Sequence, residues 1–72
     1  MEKYNFTIRY LDRETHEPFQ ETHYVKDKNY GRLVFEQFAS LKIPITNIWR
    51  YDAGELSATK KMIFSRKQGW LI

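Results

Sequence analysis

Hydrophobic and polar positions change their period twice along this chain. From Tyr4 to Leu11 they alternate, with Tyr4, Phe6, Ile8 and Tyr10 on one side and Asn5, Thr7 and Arg9 on the other. A period of two, carried by aromatic and β-branched residues, predicts a half-buried strand. The polar stretch Asp12-Arg13-Glu14-Thr15-His16-Glu17-Pro18 then predicts a hairpin turn. Asp can hydrogen-bond its own turn, and a type I turn followed by one left-handed residue matches the strand twist. His16 stands where glycine is usual, and His is among the non-glycine residues enriched at positive φ.

Alternation resumes from Phe19 to Lys26, and two registers could join the strands. A three-residue loop sets Arg9 opposite Glu21, Ile8 opposite Thr22 and Phe6 opposite Tyr24. A four-residue loop sets Ile8 opposite Glu21 and Phe6 opposite His23. Opposite-charge and aromatic cross-strand pairs contribute ~0.2–1 kcal/mol each, which favours the first. That register adds Tyr24 to the face of Phe6 and Ile8 and turns Phe19, His23 and Val25 to the other.

Lys26-Asp27-Lys28-Asn29 breaks the pattern and offers Asp27 or Asn29 as a helix cap. The period then becomes helical. Tyr30, Val34, Phe38 and Leu41 share one face, flanked by Leu33, with Arg32, Glu36 and Ser40 opposite. Pro44 ends the helix, because Ile43 before it is pushed out of the α region. The helix is expected over about Tyr30 to Lys42. Ile45, Asn47, Trp49 and Tyr51 alternate with Thr46, Ile48 and Arg50, and Asp52-Ala53-Gly54 offers a second hairpin turn. The return strand is expected near Glu55 or Leu56, kinked at Ser57-Ala58-Thr59 and clearest over Lys60, Met62 and Phe64. Gly69 breaks it before Trp70-Leu71-Ile72, a short strand or an apolar tail.

These elements predict one small α+β domain over residues 1–72, β-hairpin–helix–β-hairpin (ββαββ). One helix packs on one face of a small antiparallel or mixed sheet. The element order resembles the β-grasp (ubiquitin-like) arrangement, a likeness of architecture that carries no function. The helix stripe needs an apolar surface, and the Tyr4–Phe6–Ile8–Tyr10 face is the only one of comparable size. That assigns this face to the core and moves the search for function to Trp49–Tyr51 and the end of the chain.

Composition adds three constraints. The 72 residues include no cysteine, so neither disulfides nor thiolate metal sites stabilise so small a core. Five Phe, five Tyr and two Trp supply the apolar area instead. The net charge of +3 is carried by the last fourteen residues, where Lys60, Lys61, Arg66 and Lys67 meet no acid. No signal peptide or apolar run of membrane-spanning length is visible, so a cytoplasmic, complete small gene product with no membrane partner is expected. Asn5-Phe6-Thr7, within a strand, is a chance match to a glycosylation triplet.

Catalytic patterns are missing. No serine lies in a nucleophile elbow, and Gly31, Gly54 and Gly69 are isolated. His16 and His23 with Glu14, Glu17 and Glu21 match no metal-ligand spacing. A non-enzymatic protein without cofactor or metal is expected. The lead expectation is a regulator, inhibitor or adaptor that binds another protein, of the kind bacteria, phages and mobile elements encode. Phe35, Trp49, Arg50, Tyr51 and Trp70 are the candidate contacts, because Trp, Tyr and Arg dominate binding hot spots. The alternative is a nucleic-acid-binding module using Lys60, Lys61, Arg66, Lys67 and Trp70, cations for phosphate and a ring for bases. Trp49 suits a buried strand face as well as an interface. A monomer, or a dimer through an edge strand, is expected.

Overall fold

The computed structural model describes residues 3–53 and 59–72. It contains β1 (Tyr4–Leu11), β2 (Pro18–Val25), α1 (Tyr30–Ser40), β3 (Ile45–Asp52), β4 (Lys60–Ser65) and β5 (Gly69–Trp70). The strands form one sheet in the order β2-β1-β3-β4-β5, and every neighbouring pair is antiparallel. The α+β class is as expected, and the element order roughly matches the expected one, with a two-residue strand added at the end. The proposed turn at Gly54 and the return strand near Glu55 and Leu56, with its kink at Ser57-Ala58, lie outside the described residues.

β1 is an interior strand, between β2 and β3, and its even positions are the floor of the core. Phe6 and Ile8 are completely buried, joined by Val34 of α1, Ile45 and Ile48 of β3, and Ile63 and Phe64 of β4. The helix can lie this close to the sheet because position 31 is glycine. A Cβ there would stand 2.8 Å from Ile63 Cδ1 and 3.2 Å from a Phe6 ring carbon. The inward residues of α1 are Tyr30, Gly31, Val34, Phe35 and Phe38, and from Gly31 on they keep the i, i+3, i+4, i+7 spacing of an amphipathic helix. This corrects the stripe expected from the sequence. Leu33 and Leu41 are exposed and Phe35 is inside. Tyr30, Val34 and Phe38 pack against the core as expected, and glycine at an inward position left a hydropathy gap that shifted the apparent stripe toward Leu33 and Leu41.

The first hairpin takes the four-residue loop rather than the three-residue one. Phe6 faces His23, Ile8 faces Glu21 and Arg9 faces Gln20. Three contacts outweigh the charge pair that the other register offered. Asp12 Oδ1 accepts the N–H groups of Glu14 and Thr15, both at 2.8 Å. Tyr10 stacks on Phe19 at 5.9 Å. His23 Nδ1 bonds the Tyr30 hydroxyl on the helix at 2.5 Å. His16 has the left-handed conformation expected of it, with φ 64°. Tyr24 therefore points away from the helix and is exposed, while Phe19, His23 and Val25 lie on the helix side.

The helix closes in a Schellman arrangement. Ile43 N–H bonds the Phe38 carbonyl at 2.9 Å and Lys42 N–H bonds that of Ala39 at 3.0 Å. Lys42 supplies the left-handed residue, φ 58°, where glycine is commonest. Arg13 of the first hairpin donates to the Leu41 carbonyl at 3.1 Å, placing a cation on the negative end of the helix. The β3–β4 register shifts between Ile48 and Trp49, so that Ile48 faces Phe64 but Trp49 faces Met62. This bulge lets Ile63 and Phe64 both pack toward the helix and turns Met62 outward. At the last turn, Ser65 Oγ accepts the N–H groups of Lys67 and Gln68, and Gly69 takes φ 79°.

Candidate binding surface

The alternation of β3 divides the residues singled out from the sequence. Ile48, Arg50 and Asp52 share the helix side with Ile8, Phe6 and Tyr4 of β1, which they face. Trp49 and Tyr51 lie on the opposite side, facing Thr7 and Asn5. Arg50 is only 7% exposed, and its Nε donates to Asp52 Oδ1 at 2.7 Å. It is thereby a buried ion-pair partner at the helix side rather than a neighbour of Trp49 on a common surface. Phe35 and Trp70 also face the helix side, as a cluster with Phe64. Phe35 is 4.8 Å from Phe64 and 5.4 Å from Trp70, and Phe64 is 5.1 Å from Trp70. The Arg32 guanidinium lies 3.9 Å over the Trp70 ring. Trp49 and Tyr51 alone of the five protein-contact candidates share the open side.

The basic segment is divided as well. Lys60 belongs to the open side, across from Tyr51, and Lys61 faces Arg50. Arg66 and Lys67 sit at the other end of β4, in the turn to β5. The intervening strand, Met62 to Ser65, spans ~13 Å. The four cations and Trp70 do not form one contiguous patch.

The open side of the sheet is built from four strands. β1 contributes Asn5, Thr7 and Arg9, and β3 contributes Asn47, Trp49 and Tyr51. The flanking strands add Thr22 and Tyr24 on one side and Lys60 and Met62 on the other. Lys60 Nζ stands 5.6 Å from the centroid of the Trp49 ring, within cation–π range. Asn47 Nδ2 is 3.7 Å from Met62 Sδ on the same side. Beside this row lies a depression of about 330 Å³ lined by Asn5, Thr7, Thr22, Tyr51 and Lys60. Thr7 is buried at its floor, with Oγ1 3.4 Å from Thr22 Oγ1.

Among the described residues, no acid faces this side. Glu21 and Asp52 project to the helix side, as their strand partners Ile8 and Tyr4 do. Asp12, Glu14 and Glu17 are in the first hairpin loop, and Asp27 and Glu36 are in or before α1. Sequence periodicity had already separated Asn5, Thr7 and Arg9 from the core face. Tyr24 and Met62 were missed, the first through the hairpin register and the second through the bulge.

His23 and Glu21 have structural partners. His23 Nε2 lies 3.1 Å from Glu21 Oε1 while its Nδ1 meets Tyr30. Burial, and next the Glu21 carboxylate, push the Tyr10 and Tyr30 phenols above their ordinary value. Among the described residues, no three His, Asp or Glu side chains are grouped to hold a metal ion. No described helix is long and apolar enough to cross a membrane. No protein family, curated protein or solved structure matches this chain.

Proposed function

We propose that this protein is a non-enzymatic binding module that engages another macromolecule with the open face of its sheet. The observation that supports the reading is the placement of Trp49 and Tyr51. They project from the central strand β3 on the side opposite the helix, beside exposed Tyr24, Lys60 and Met62. The core is closed on the helix side without them. Trp and Tyr offer large rigid contact area, and such residues carry a disproportionate share of interface energy. This relocates the interface expected from the sequence: Trp49 and Tyr51 remain in it, while Phe35, Arg50 and Trp70 serve the core and its edge. The ring pair suits either partner class, protein or nucleic acid.

The test is retention of partners from a lysate of the source cells, split into nuclease-treated and untreated halves. Immobilised wild type should retain a macromolecule that the folded double variant Trp49→Ala/Tyr51→Ala does not. Equal retention by wild type and variant would contradict the reading.

A further inference from the structure

The polar chemistry around Trp49 and Tyr51 narrows the partner. The centre of a protein–protein interface is depleted of charge and rich in apolar area. Here Tyr51 instead lines a depression that also carries two hydroxyls, an amide and an ammonium, from Thr7, Thr22, Asn5 and Lys60. An amide and hydroxyls each donate and accept, which is what the edge of a nucleobase requires. Lys60, with Arg9 two strands away on the same side, supplies cations for backbone phosphates, and no described acid on this face would repel them.

We propose that the open face binds a single nucleic-acid strand, with bases stacked along Trp49 and Tyr51 and one base edge seated in the Asn5–Thr7–Thr22 depression. This rests on the open face being the working surface, as proposed above. The strand must be single, because a duplex hides the ring faces that stacking needs and presents only edges within its grooves. A sheet of this kind offers rings rather than a groove-filling helix. Each ring contributes stacking that is tolerant of sequence, and the depression adds a preference at one position. Lys60 has two roles. Its ammonium lies 5.6 Å from the centroid of the Trp49 ring and, in this proposal, also meets a backbone phosphate.

The experiment is fluorescence anisotropy with labelled twelve-nucleotide oligo(dT) and oligo(U) and a duplex of the same length, at low and raised salt. Single strands should bind, and the duplex should bind more weakly. Tyr51→Ala should weaken binding about 5- to 150-fold, the range measured for losing one stacked base. The slope of log affinity against log salt should be about −1.4 for two phosphate contacts, falling by about 0.7 in the exposed-site variant Lys60→Gln. The paired variant Arg66→Gln/Lys67→Gln, at the far end of β4, should bind as wild type.

Three results would overturn the proposal: no single-strand binding even at low salt, a duplex bound as tightly as the single strands, or binding lost in the Arg66/Lys67 variant but kept in Lys60→Gln. Failure here remains distinguishable from failure of the binding-module reading. In that case a protein retained from the nuclease-treated lysate, and lost with Trp49→Ala/Tyr51→Ala, would keep the open face and change its partner.

Discussion

Individual residues in this fold carry conformations that their side chains do not favour. His16 and Lys42 both adopt positive φ, and in each case the surroundings hold them there. His16 closes a turn whose amides are taken up by Asp12, and those two amide bonds hold the Asp12 carboxyl below the usual carboxylate range. Lys42 is fixed by the two nested bonds that end the helix, its own to Ala39 and that of Ile43 to Phe38. A left-handed L-residue costs roughly 1–2 kcal/mol, and glycine avoids that at some cost in chain entropy. Lys42→Gly is therefore expected to raise unfolding stability by about 1 kcal/mol, read from urea denaturation at unchanged m-value. A loss of stability would mean that the Lys42 side chain contributes more than its backbone conformation costs. The turn chemistry at His16 was legible in the sequence because Asp12 and the polar run announce it. The conformation of Lys42 was not, because nothing in Leu-Lys-Ile distinguishes a capping residue from one more helical position.

At the scale of elements, period identified β1, β2, α1, β3 and the clear part of β4, and the bounds differ from those expected by only a residue or two. Beyond β1, what period could not supply was phase. A one-residue change of register sends every side chain of a strand to the other face. β2 shows this: local pair energies favoured one register, and the helix, through the His23–Tyr30 contact, favours the other. The bulge in β4 likewise depends on what lies across from it, since Ile63 and Phe64 both turn inward only where α1 and Trp70 receive them. The helix phase was obscured by Gly31, an inward position with no side chain to register. In β3 the phase decides which residues enter the core, and adjacent residues should respond oppositely. Ile48→Ala, at a fully buried position, is expected to cost about 2–5 kcal/mol. Trp49→Ala, one residue on and facing away from the core, should cost about 1 kcal/mol, the scale of cross-strand contacts. Chemical denaturation of the two variants checks this, and a larger loss for Trp49→Ala would place its ring in the core.

The whole molecule is a two-layer unit with its layers used unequally. The helix and the aromatic side chains beneath it occupy one face of a five-stranded sheet, and the second face has no layer over its described residues. Aromatic content was visible in the composition, but its division between the two faces emerged only with the fold. Phe6, Phe35, Phe38, Phe64 and Trp70 contribute to the helix-side packing, while Trp49, Tyr51 and Tyr24 remain on the other side. Charge is divided in the same way, with the described acids away from the open face and Arg9 and Lys60 on it. The C-terminal cation cluster, conspicuous along the sequence, is dispersed along β4 and its turn. The open face is the proposed working surface, and Trp49 reports on it directly. In the variant Trp70→Phe the only remaining tryptophan is Trp49. Titrating that variant with unlabelled single-stranded oligo(dT) should quench the emission saturably, and the quenching should weaken as salt rises. Trp49 emission that stays unchanged throughout the titration would contradict the account.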